Sequence, residues 1–139
     1  MSTQAGLAAA PGDVPLACRF DTSRLAAEVR ELRRAPGGHS AVTAAAGVSC
    51  ESESDWRILP LRNLGGGPER ADPGGAGLLP FADTHRLGRC GYLREVLGQV
   101  SAPLRTVRLM SLGSGAYVEE HRDGKCGLPY GRLRLHYRW

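Results

Sequence analysis

The sequence lacks the features that would place a protein in or across a membrane. No apolar run approaches the ~18 residues that a membrane-spanning helix needs. The N-terminus has no basic region, and Pro11, Gly12 and Asp13 interrupt its short alanine run, which excludes a secretory signal peptide. We therefore expect a cytoplasmic protein that has no membrane partner.

Cysteine pairs with metal-binding spacing are absent as well. The four cysteines lie far apart and form no CxxC pair, so that neither a zinc ribbon nor a thioredoxin-type redox site is indicated. They are Cys18, Cys50, Cys90 and Cys126. In a cytoplasmic protein we expect these thiols to be reduced.

Lysine is almost missing, since Lys125 is the single lysine among 18 basic residues. The formal net charge of +4 is modest, and we take it as evenly spread along the chain. A nucleic-acid surface usually needs a stronger and more localised positive charge. The composition therefore predicts no nucleic-acid partner.

Glycine and proline, by contrast, are abundant, with 19 and 9 residues respectively, so that loops should take a large share of the chain. The stretch GGGPERADPGGAG, residues 65–77, predicts such a loop. A length of 139 residues fits one domain. We expect residues 1–17 to form a flexible leader and residues 18–139 to form the domain.

Two segments have the apolar spacing of amphipathic helices, and four are strand candidates. The helical stripes are Leu25, Val29 and Leu32 in the first segment, and Leu93, Val96, Leu97 and Val100 in the second. The strand candidates are the short segment DWRILPLRNLGGG, with Trp56 and Ile58 directed to a core, then RTVRLMSL, AYVEEHRD and RLRLHYRW. Helices followed by antiparallel strands indicate a sheet-based or barrel-like β core with helical support.

His121 and Asp123 are the first candidates for chemistry. Side chains two apart on a strand point to the same side. A histidine and a carboxylate held in this way are two of the three ligands of the facial triad that binds Fe(II). By itself this spacing is more typical of two exposed polar residues in a turn, and a zinc site that adds Cys126 is a further alternative.

The last segment, RLRLHYRW, alternates along its whole length and predicts a strand with two different faces. One face carries Arg132, Arg134, His136 and Arg138, and the other carries Leu133, Leu135, Tyr137 and Trp139. The strand is either an outer one that exposes its arginines, or one that directs Arg134 and His136 into a pocket. In the second case they hold an anion, since arginine binds carboxylates in bidentate geometry. The pattern leaves both interpretations open.

Several segments together resemble the aspartyl/asparaginyl β-hydroxylase-like family, and most closely its bacterial proline-hydroxylase-type branch. They are WRILPLR, FADTHRL, YLREVLGQVSAPLRTVRLMSLGSGAYVEEHRDG and GRLRLHYRW. The resemblance implies a dioxygenase that depends on Fe(II) and 2-oxoglutarate. It also implies an α+β or mainly β fold, namely a partial double-stranded β-helix (a cupin-like jelly roll) with N-terminal supporting helices.

The resemblance also implies roles for individual residues. His121 and Asp123 are expected to bind the iron, and Arg134 and His136 are expected to contact 2-oxoglutarate. The segments Pro60–Arg62 and Phe81–Thr84 match the family pattern too and are expected to shape the substrate pocket. The oxidation belongs to the iron, and the protein contributes positioning and exclusion of water, so no side chain is assigned as a general acid or base.

The sequence departs from the family at the second histidine ligand. In the family, further strands supply that ligand, but here no histidine follows His136. His39 and His85 lie upstream in loop-like contexts. We therefore expect a truncated or frameshifted member whose iron triad is incomplete.

The function expected from this resemblance is hydroxylation of an amino acid, or of an amino-acid residue in a peptide. Free proline, an aspartyl side chain and a peptidyl substrate all fit equally, and the oligomeric state is left open. The alternative is a truncated, catalytically inactive cupin-like remnant that acts at most as a binding module.

Overall fold

The fold is described from a computed structural model of the chain. The structure describes residues 17–35, 40–41, 56–68, 79–115 and 127–137. Contacts divide the chain into two compact units: the larger is Thr22–Glu119, and the smaller combines Met1–Asp21 with Glu120–Trp139. Apart from Ala17, the leader predicted for residues 1–17 lies outside the described residues.

The larger unit begins with helix α1, which spans Thr22–Arg34 and confirms the first predicted helix. Its buried residues Leu25 and Leu32 are seven positions apart, which is about two helical turns and therefore the same face. Arg34 lies in the last turn, where a positive charge complements the helix dipole. It also pairs with Glu31 at 2.8 Å. Both side chains are exposed, so this pair adds little stability.

An antiparallel sheet follows, and the strand predicted within DWRILPLRNLGGG supplies its central strand, which at 9 residues is longer than the short strand expected. The strands are β1 (Ser40–Ala41), β2 (Trp56–Leu64), β3 (Phe81–Asp83) and β4 (Val107–Leu112). The predictions for β2 and β4 are confirmed, whereas β3 was not predicted as a strand. Each of the other three strands pairs antiparallel with β2.

The register shows how these strands are arranged around β2. Ile58 of β2 pairs with both β1 and β4, and Arg62 of β2 pairs with both β3 and β4. A strand residue has one neighbour on each side, so β4 takes one edge of β2 while β1 and β3 share the other. The sheet is therefore open and three strands wide.

Strand β2 is buried on both faces. Four consecutive residues, 58–61, are buried, and successive strand residues point to opposite faces. The register with β4 shifts between Pro60 and Arg62. A bulge of this kind accommodates proline in a central strand, because proline has no N–H to donate to the ladder. The side chain of Trp56, predicted for the core, lies outside the described part.

Two short helices lie between β3 and β4, namely α2 (His85–Gly88) and α3 (Gly91–Gly98). Helix α3 confirms the second predicted helix, with Val96 buried. The core forms where the three helices meet β2 and β4. It consists of Leu32, Leu59, Leu61, Leu87 and Cys90, with Leu93, Leu97, Val107 and Leu109 packed against it. None of the described helices is long and apolar enough to cross a bilayer.

The glycine-rich turn after β2 requires glycine at Gly66. Its φ of +70° is in the left-handed region that other residues rarely adopt. A Cβ there would lie 2.9 Å from the carbonyl oxygen of Asp83, which is too close. The predicted loop is confirmed for residues 65–68, and residues 69–77 lie outside the described part.

The larger unit is therefore an α+β fold with an antiparallel open sheet. The predicted order of a helix, the strand β2, a second helix and the strand β4 is confirmed, and β1, β3 and α2 are further elements that were not predicted. The helices α1, α2 and α3 pack together against the same strands although β2 and β3 separate α1 from α2 in sequence. The double-stranded β-helix remains a prediction.

The smaller unit contains a compact turn. Gly127 and Arg132 form an isolated β-bridge around the 3₁₀ helix Leu128–Tyr130. The N–H of Gly127 donates to the carbonyl oxygen of Arg132 at 2.9 Å, and the N–H of Arg132 donates back at 3.2 Å. Gly127 and Gly131 have φ values of 119° and 63°, which only glycine adopts without strain.

The strand predicted for RLRLHYRW is wrong over its described part, since residues 133–137 have no regular secondary structure. Leu133 and Leu135, which lie on the face that an outer strand would bury, are 61% and 58% exposed. Alternation stabilises a strand only when a neighbouring strand takes up its N–H and C=O groups. In the described residues, the strand pairing of this segment is limited to the bridge at Arg132.

Candidate functional site

The predicted iron ligands, His121 and Asp123, lie outside the described residues, so their role stays a prediction. Within the described ranges, no three His, Cys, Asp or Glu side chains come together as a metal site would require. His85 is the exposed first residue of α2 rather than a loop residue, which corrects the expectation for it. His39 lies outside the described residues.

The predicted 2-oxoglutarate residues, Arg134 and His136, lie in the irregular segment 133–137 of the smaller unit, and both are exposed. The compact turn at residues 127–132 precedes them, and an aromatic contact follows them. The ring of Tyr137 meets the ring of Phe20 edge to face, with centroids 5.5 Å apart. This contact ties residues 133–137 to the N-terminal arm of the same unit.

The two upstream segments that match the family pattern lie against each other in the sheet. Thr84 joins them, because its N–H donates to the carbonyl oxygen of Leu61 at 2.8 Å. Its hydroxyl lies 3.1 Å from the carbonyl oxygens of both Pro60 and Leu61. Thr84 is 2% exposed, so these bonds satisfy a polar side chain inside the protein. The segments thus form one hydrogen-bonded junction.

Arg62 completes this junction with three hydrogen bonds. Its Nη1 donates to Oδ1 of Asp83 at 2.6 Å, and its Nη2 donates to the carbonyl oxygen of Phe81 at 3.0 Å. Its Nε donates to the carbonyl oxygen of Leu104 at 3.1 Å. One guanidinium therefore connects β2, β3 and the chain that leads into β4. These bonds give Arg62 a structural role, and its expected part in a substrate pocket stays a prediction.

Two further buried polar side chains hold the turn after β2. Nδ2 of Asn63 donates to the carbonyl oxygen of Gly67 at 2.7 Å. Nη1 of Arg86, from α2, donates to the carbonyl oxygen of Pro68. A buried guanidinium costs free energy unless it is hydrogen-bonded. Arg86 therefore fixes the turn to α2, and the carbonyl oxygen of Pro68 accepts from one donor of the buried guanidinium.

Glu28 of α1 caps helix α3, although the residues that it caps lie 64 and 65 positions further along the chain. Its Oε1 accepts the N–H of Tyr92 at 2.7 Å, and its Oε2 accepts the N–H of Leu93 at 2.9 Å. The residue at the N-cap position, Cys90, makes no side-chain capping bond. Glu28 therefore does what an Asp, Ser or Thr at the N-cap usually does. Its negative charge also suits the positive end of the helix dipole.

Cys90 lies beside this cap and is 1% exposed. Burial, followed by the negative charge of Glu28, raises its pKa from 9.0 to about 11, while the charge of Arg89 acts in the opposite direction. Between these two pH values the thiol ionises in the unfolded chain but not in the folded one. The unfolded state then binds fewer protons, so stability should fall as pH rises from about 9 to about 11.

We expect Cys90 to resist alkylation in the folded protein, because it is buried and remains a thiol at neutral pH. Cys18 is exposed and should react with iodoacetamide at pH near 8 without unfolding. Mass-spectrometric peptide mapping of the labelled protein measures both sites. Urea should make the two sites react alike, and equal labelling without urea would contradict the burial of Cys90.

A shallow groove of about 370 Å³ runs along α1. Its lining consists of Ala27, Glu28, Arg30, Glu31, Leu32, Arg34 and Arg89. Glu28 is engaged in the cap of α3, and Glu31 is paired with Arg34. The groove holds none of the predicted site residues, and charges of both signs line it, so it does not define a ligand class.

No role was predicted from the sequence for Glu28, Asn63 or Arg86. The role of each follows from the hydrogen bonds that it makes in the fold. For Glu28 a signal was present. It lies three residues after Leu25 and four before Leu32, which places a charge on the apolar face of α1. A carboxylate in that position indicates a buried donor on another element. For Asn63 and Arg86, nothing in the local pattern pointed to a role.

The described residues define the class of fold, an α+β unit with an open antiparallel sheet and a polar junction at Arg62 and Thr84. Comparison with known proteins adds no assignment. No family model, no curated protein and no solved structure matches this chain.

Proposed function

We propose that the chain is a hydroxylase of the aspartyl/asparaginyl β-hydroxylase-like family that depends on Fe(II) and 2-oxoglutarate. The observation that carries the proposal is a pattern in the sequence: the HxD pair His121 and Asp123, followed by Arg134 and His136 in RLH. The contact between Pro60–Arg62 and Phe81–Thr84 adds support, because two separate family-like segments form one junction.

On this proposal, the open sheet is part of a double-stranded β-helix. Its three-strand width is too small for a closed jelly roll, which has about eight strands in two sheets. The segment AYVEEHRD, residues 116–123, carries the proposed metal ligands. The helices α1, α2 and α3 would support the sheet from the face on which they already pack.

The proposed roles follow the chemistry of each side chain. His121 and Asp123 hold Fe(II), which when bound supplies the oxidation of an unactivated C–H bond. Arg134 binds a carboxylate of 2-oxoglutarate with two parallel N–H bonds, and His136 donates or accepts a further one. The substrate is an amino acid or a residue of a peptide. The protein's own part is to orient both molecules and to keep water out.

The exposure of Arg134 and His136 sets a condition on this proposal. An arginine–carboxylate pair in open water contributes at most about 1 kcal/mol. Tight binding of 2-oxoglutarate therefore requires that the bound molecule and the substrate shield the pair from solvent. The third iron ligand is also unassigned, and iron held by two protein side chains should bind more weakly than iron held by three.

The alternative, a cupin-like module that binds a partner without catalysis, is favoured by that same exposure. Side chains that face solvent are available to a partner, whereas a cosubstrate site is normally enclosed. The fate of 2-oxoglutarate distinguishes the two functions, because a hydroxylase consumes it and a binding module does not.

Succinate production tests the proposal. The full chain, supplied with Fe(II), 2-oxoglutarate and O₂, should form succinate with free proline or with an aspartyl peptide. We expect His121→Ala to reduce this to background, because the iron loses an essential ligand. His85→Ala is the matched control, since it removes an exposed histidine that has no proposed role. Mass spectrometry measures succinate and hydroxylated substrate.

Two outcomes would contradict the proposal. Equal turnover by the wild type and by His121→Ala would remove this histidine from the iron site. Absence of succinate in the wild type, together with Fe(II) binding that His121→Ala does not weaken in equilibrium dialysis, would favour the non-catalytic module.

A further inference from the structure

The net positive charge of this chain falls on residues 124–139, directly after the carboxylates Glu119, Glu120 and Asp123, so the expectation of an even spread is wrong. All 14 acidic residues precede Gly124, and residues 1–123 carry 14 basic residues that balance them. The remaining residues, 124–139, contain four basic residues and no acidic one, namely Lys125, Arg132, Arg134 and Arg138. The whole formal net charge of +4 therefore belongs to this end of the chain.

The same region exposes large apolar side chains. Tyr130, Leu133 and Leu135 are each more than half exposed, at 59%, 61% and 58%, and Tyr137 is 40% exposed. They account for four of the six large apolar residues that are exposed in the described part of the chain. Single exposed leucines are common on protein surfaces. Four such side chains fall within eight residues of the sequence, interleaved with Arg132 and Arg134, and this density calls for an explanation.

We propose that residues 127–137 attach this protein to the surface of a lipid bilayer that carries anionic headgroups. Arg132 interacts with the headgroup phosphates, while Leu133 and Leu135 enter the boundary of the hydrocarbon region. Tyr130 and Tyr137 lie at the depth of the headgroups, where aromatic rings with a polar tip are enriched. This is peripheral binding, distinct from a membrane span.

A lipid surface fits these residues better than a nucleic acid or an acidic protein. Nucleic acids attract arginine, but they offer leucine little, because single-strand binding relies on aromatic stacking. An acidic protein would have to present apolar pockets that match the leucines. Segment 133–137 has no regular secondary structure that would fix such a match. A bilayer takes up leucine and tyrosine without shape complementarity, and its anionic headgroups attract arginine.

Peripheral lipid binding revises one expectation drawn from the sequence and leaves the proposed function unchanged. The sequence excludes a membrane span, and from this we expected no membrane partner, but peripheral binding needs no span. The lipid contact rests on the leucines, the tyrosines and the net charge. Hydroxylase activity rests on His121, Asp123, Arg134 and His136, and the vesicle variants replace none of these four residues, so vesicle binding and succinate formation can fail independently.

Co-sedimentation of the full chain with vesicles tests the proposal. About a third of the lipid should be phosphatidylglycerol and the rest phosphatidylcholine, with pure phosphatidylcholine vesicles for comparison. We expect binding to the anionic vesicles only. Raising the ionic strength from about 0.1 M to about 1 M shortens the Debye length from about 10 Å to about 3 Å and should release most of the protein.

Matched variants separate this patch from the rest of the surface. Leu133→Ser combined with Leu135→Ser should weaken vesicle binding by about tenfold or more. The control Leu79→Ser removes a leucine that is equally exposed, at 55%, in the larger unit. Arg132→Gln should weaken binding by about fivefold. Arg94→Gln, which removes an exposed arginine of α3, should change it by less than about twofold.

Three results would overturn the proposal. The first is equal binding to neutral and to anionic vesicles. The second is a loss of vesicle binding in Leu79→Ser that is as large as the loss in the double leucine variant. The third is displacement of the bound protein by single-stranded DNA at a lower concentration than by added anionic vesicles. The last would assign the patch to nucleic acid. Thermal melting verifies that each variant folds as the wild type does, which is expected because the replaced leucines are exposed.

Discussion

Replacing Arg62 by alanine is expected to lower the free energy of unfolding by about 2–4 kcal/mol. The Arg62 side chain ties three parts of the chain together, and alanine removes all three bonds at once. The carbonyl oxygens of Phe81 and Leu104 then lose a charged donor. A hydrogen bond to a charged group contributes about 1.5–3 kcal/mol when it is shielded from water, and less when it is partly exposed.

The ion pair with Asp83 should be the smaller part of this effect. Its side chains are 25% and 49% exposed, on Arg62 and Asp83 respectively, so solvent screens the attraction between them. Asp83→Ala should therefore cost no more than about 1 kcal/mol. Arg62→Lys should restore less than half of the loss, because an ammonium cannot reach three acceptors in the fork geometry of a guanidinium.

Urea denaturation followed by circular dichroism measures these differences. The control is Arg57→Ala, which removes an exposed arginine from the same strand and should change stability by less than about 0.5 kcal/mol. If Arg62→Ala were as stable as Arg57→Ala, the three bonds would contribute nothing to the fold.

Elements that bury an apolar face could be predicted from the sequence. The helices α1 and α3 and the strand β4 each carry a periodic apolar pattern that matches a face in the core, and β2 carries a continuous apolar run, residues 58–61, that matches its burial on both faces. Strand β3 has three residues, too few for a pattern to be visible. Its position depends on pairing with β2 and on Arg62, which are contacts between residues distant in sequence.

The last segment shows the limit of the same reasoning. RLRLHYRW alternates more regularly than β2, yet residues 133–137 form no strand. An alternating pattern predicts which side chains would lie on the same face of a strand. A strand also needs a neighbouring strand that hydrogen-bonds to its backbone N–H and C=O groups. In β2, pairing on both edges supplies those bonds. The apolar content of a segment therefore does not decide whether it becomes part of a sheet.

The residue types of the candidate site could be predicted from the sequence, but their arrangement in space could not. The spacing of His121 and Asp123 and the RLH segment can be read from the sequence, and they carry the proposed function. The polar junction could not be read in the same way. Thr84 and Arg62 act through backbone groups of other elements, and backbone groups have no sequence signature.

Replacing Glu28 by alanine is expected to cost about 2–3 kcal/mol, because α3 loses the carboxylate that caps its first turn. Two N–H groups, of Tyr92 and Leu93, would face a partly buried space without an acceptor. Cys90 cannot replace it, since a thiol is a poor acceptor. Glu28→Gln keeps one acceptor oxygen, so its free energy of unfolding should fall by about half as much as that of Glu28→Ala.

The exposed Glu31, three residues further along α1, provides the control. Glu31→Ala breaks only a surface pair with Arg34 and should cost less than about 0.5 kcal/mol. Stability of Glu28→Ala equal to that of Glu31→Ala would contradict the capping role. Urea denaturation at neutral pH measures all three variants.

The thiol of Cys90 gives a second readout, which a general loss of packing would not produce. The charge of Glu28 is the second cause of its raised pKa, after burial. Glu28→Gln removes the charge but keeps the volume, so the pKa of Cys90 should fall below about 11 while staying above 9.0. Thiolate absorbance against pH measures this shift. The decline of stability between about pH 9 and about pH 11 should become shallower in the same variant, because less of the pKa difference between folded and unfolded chains remains.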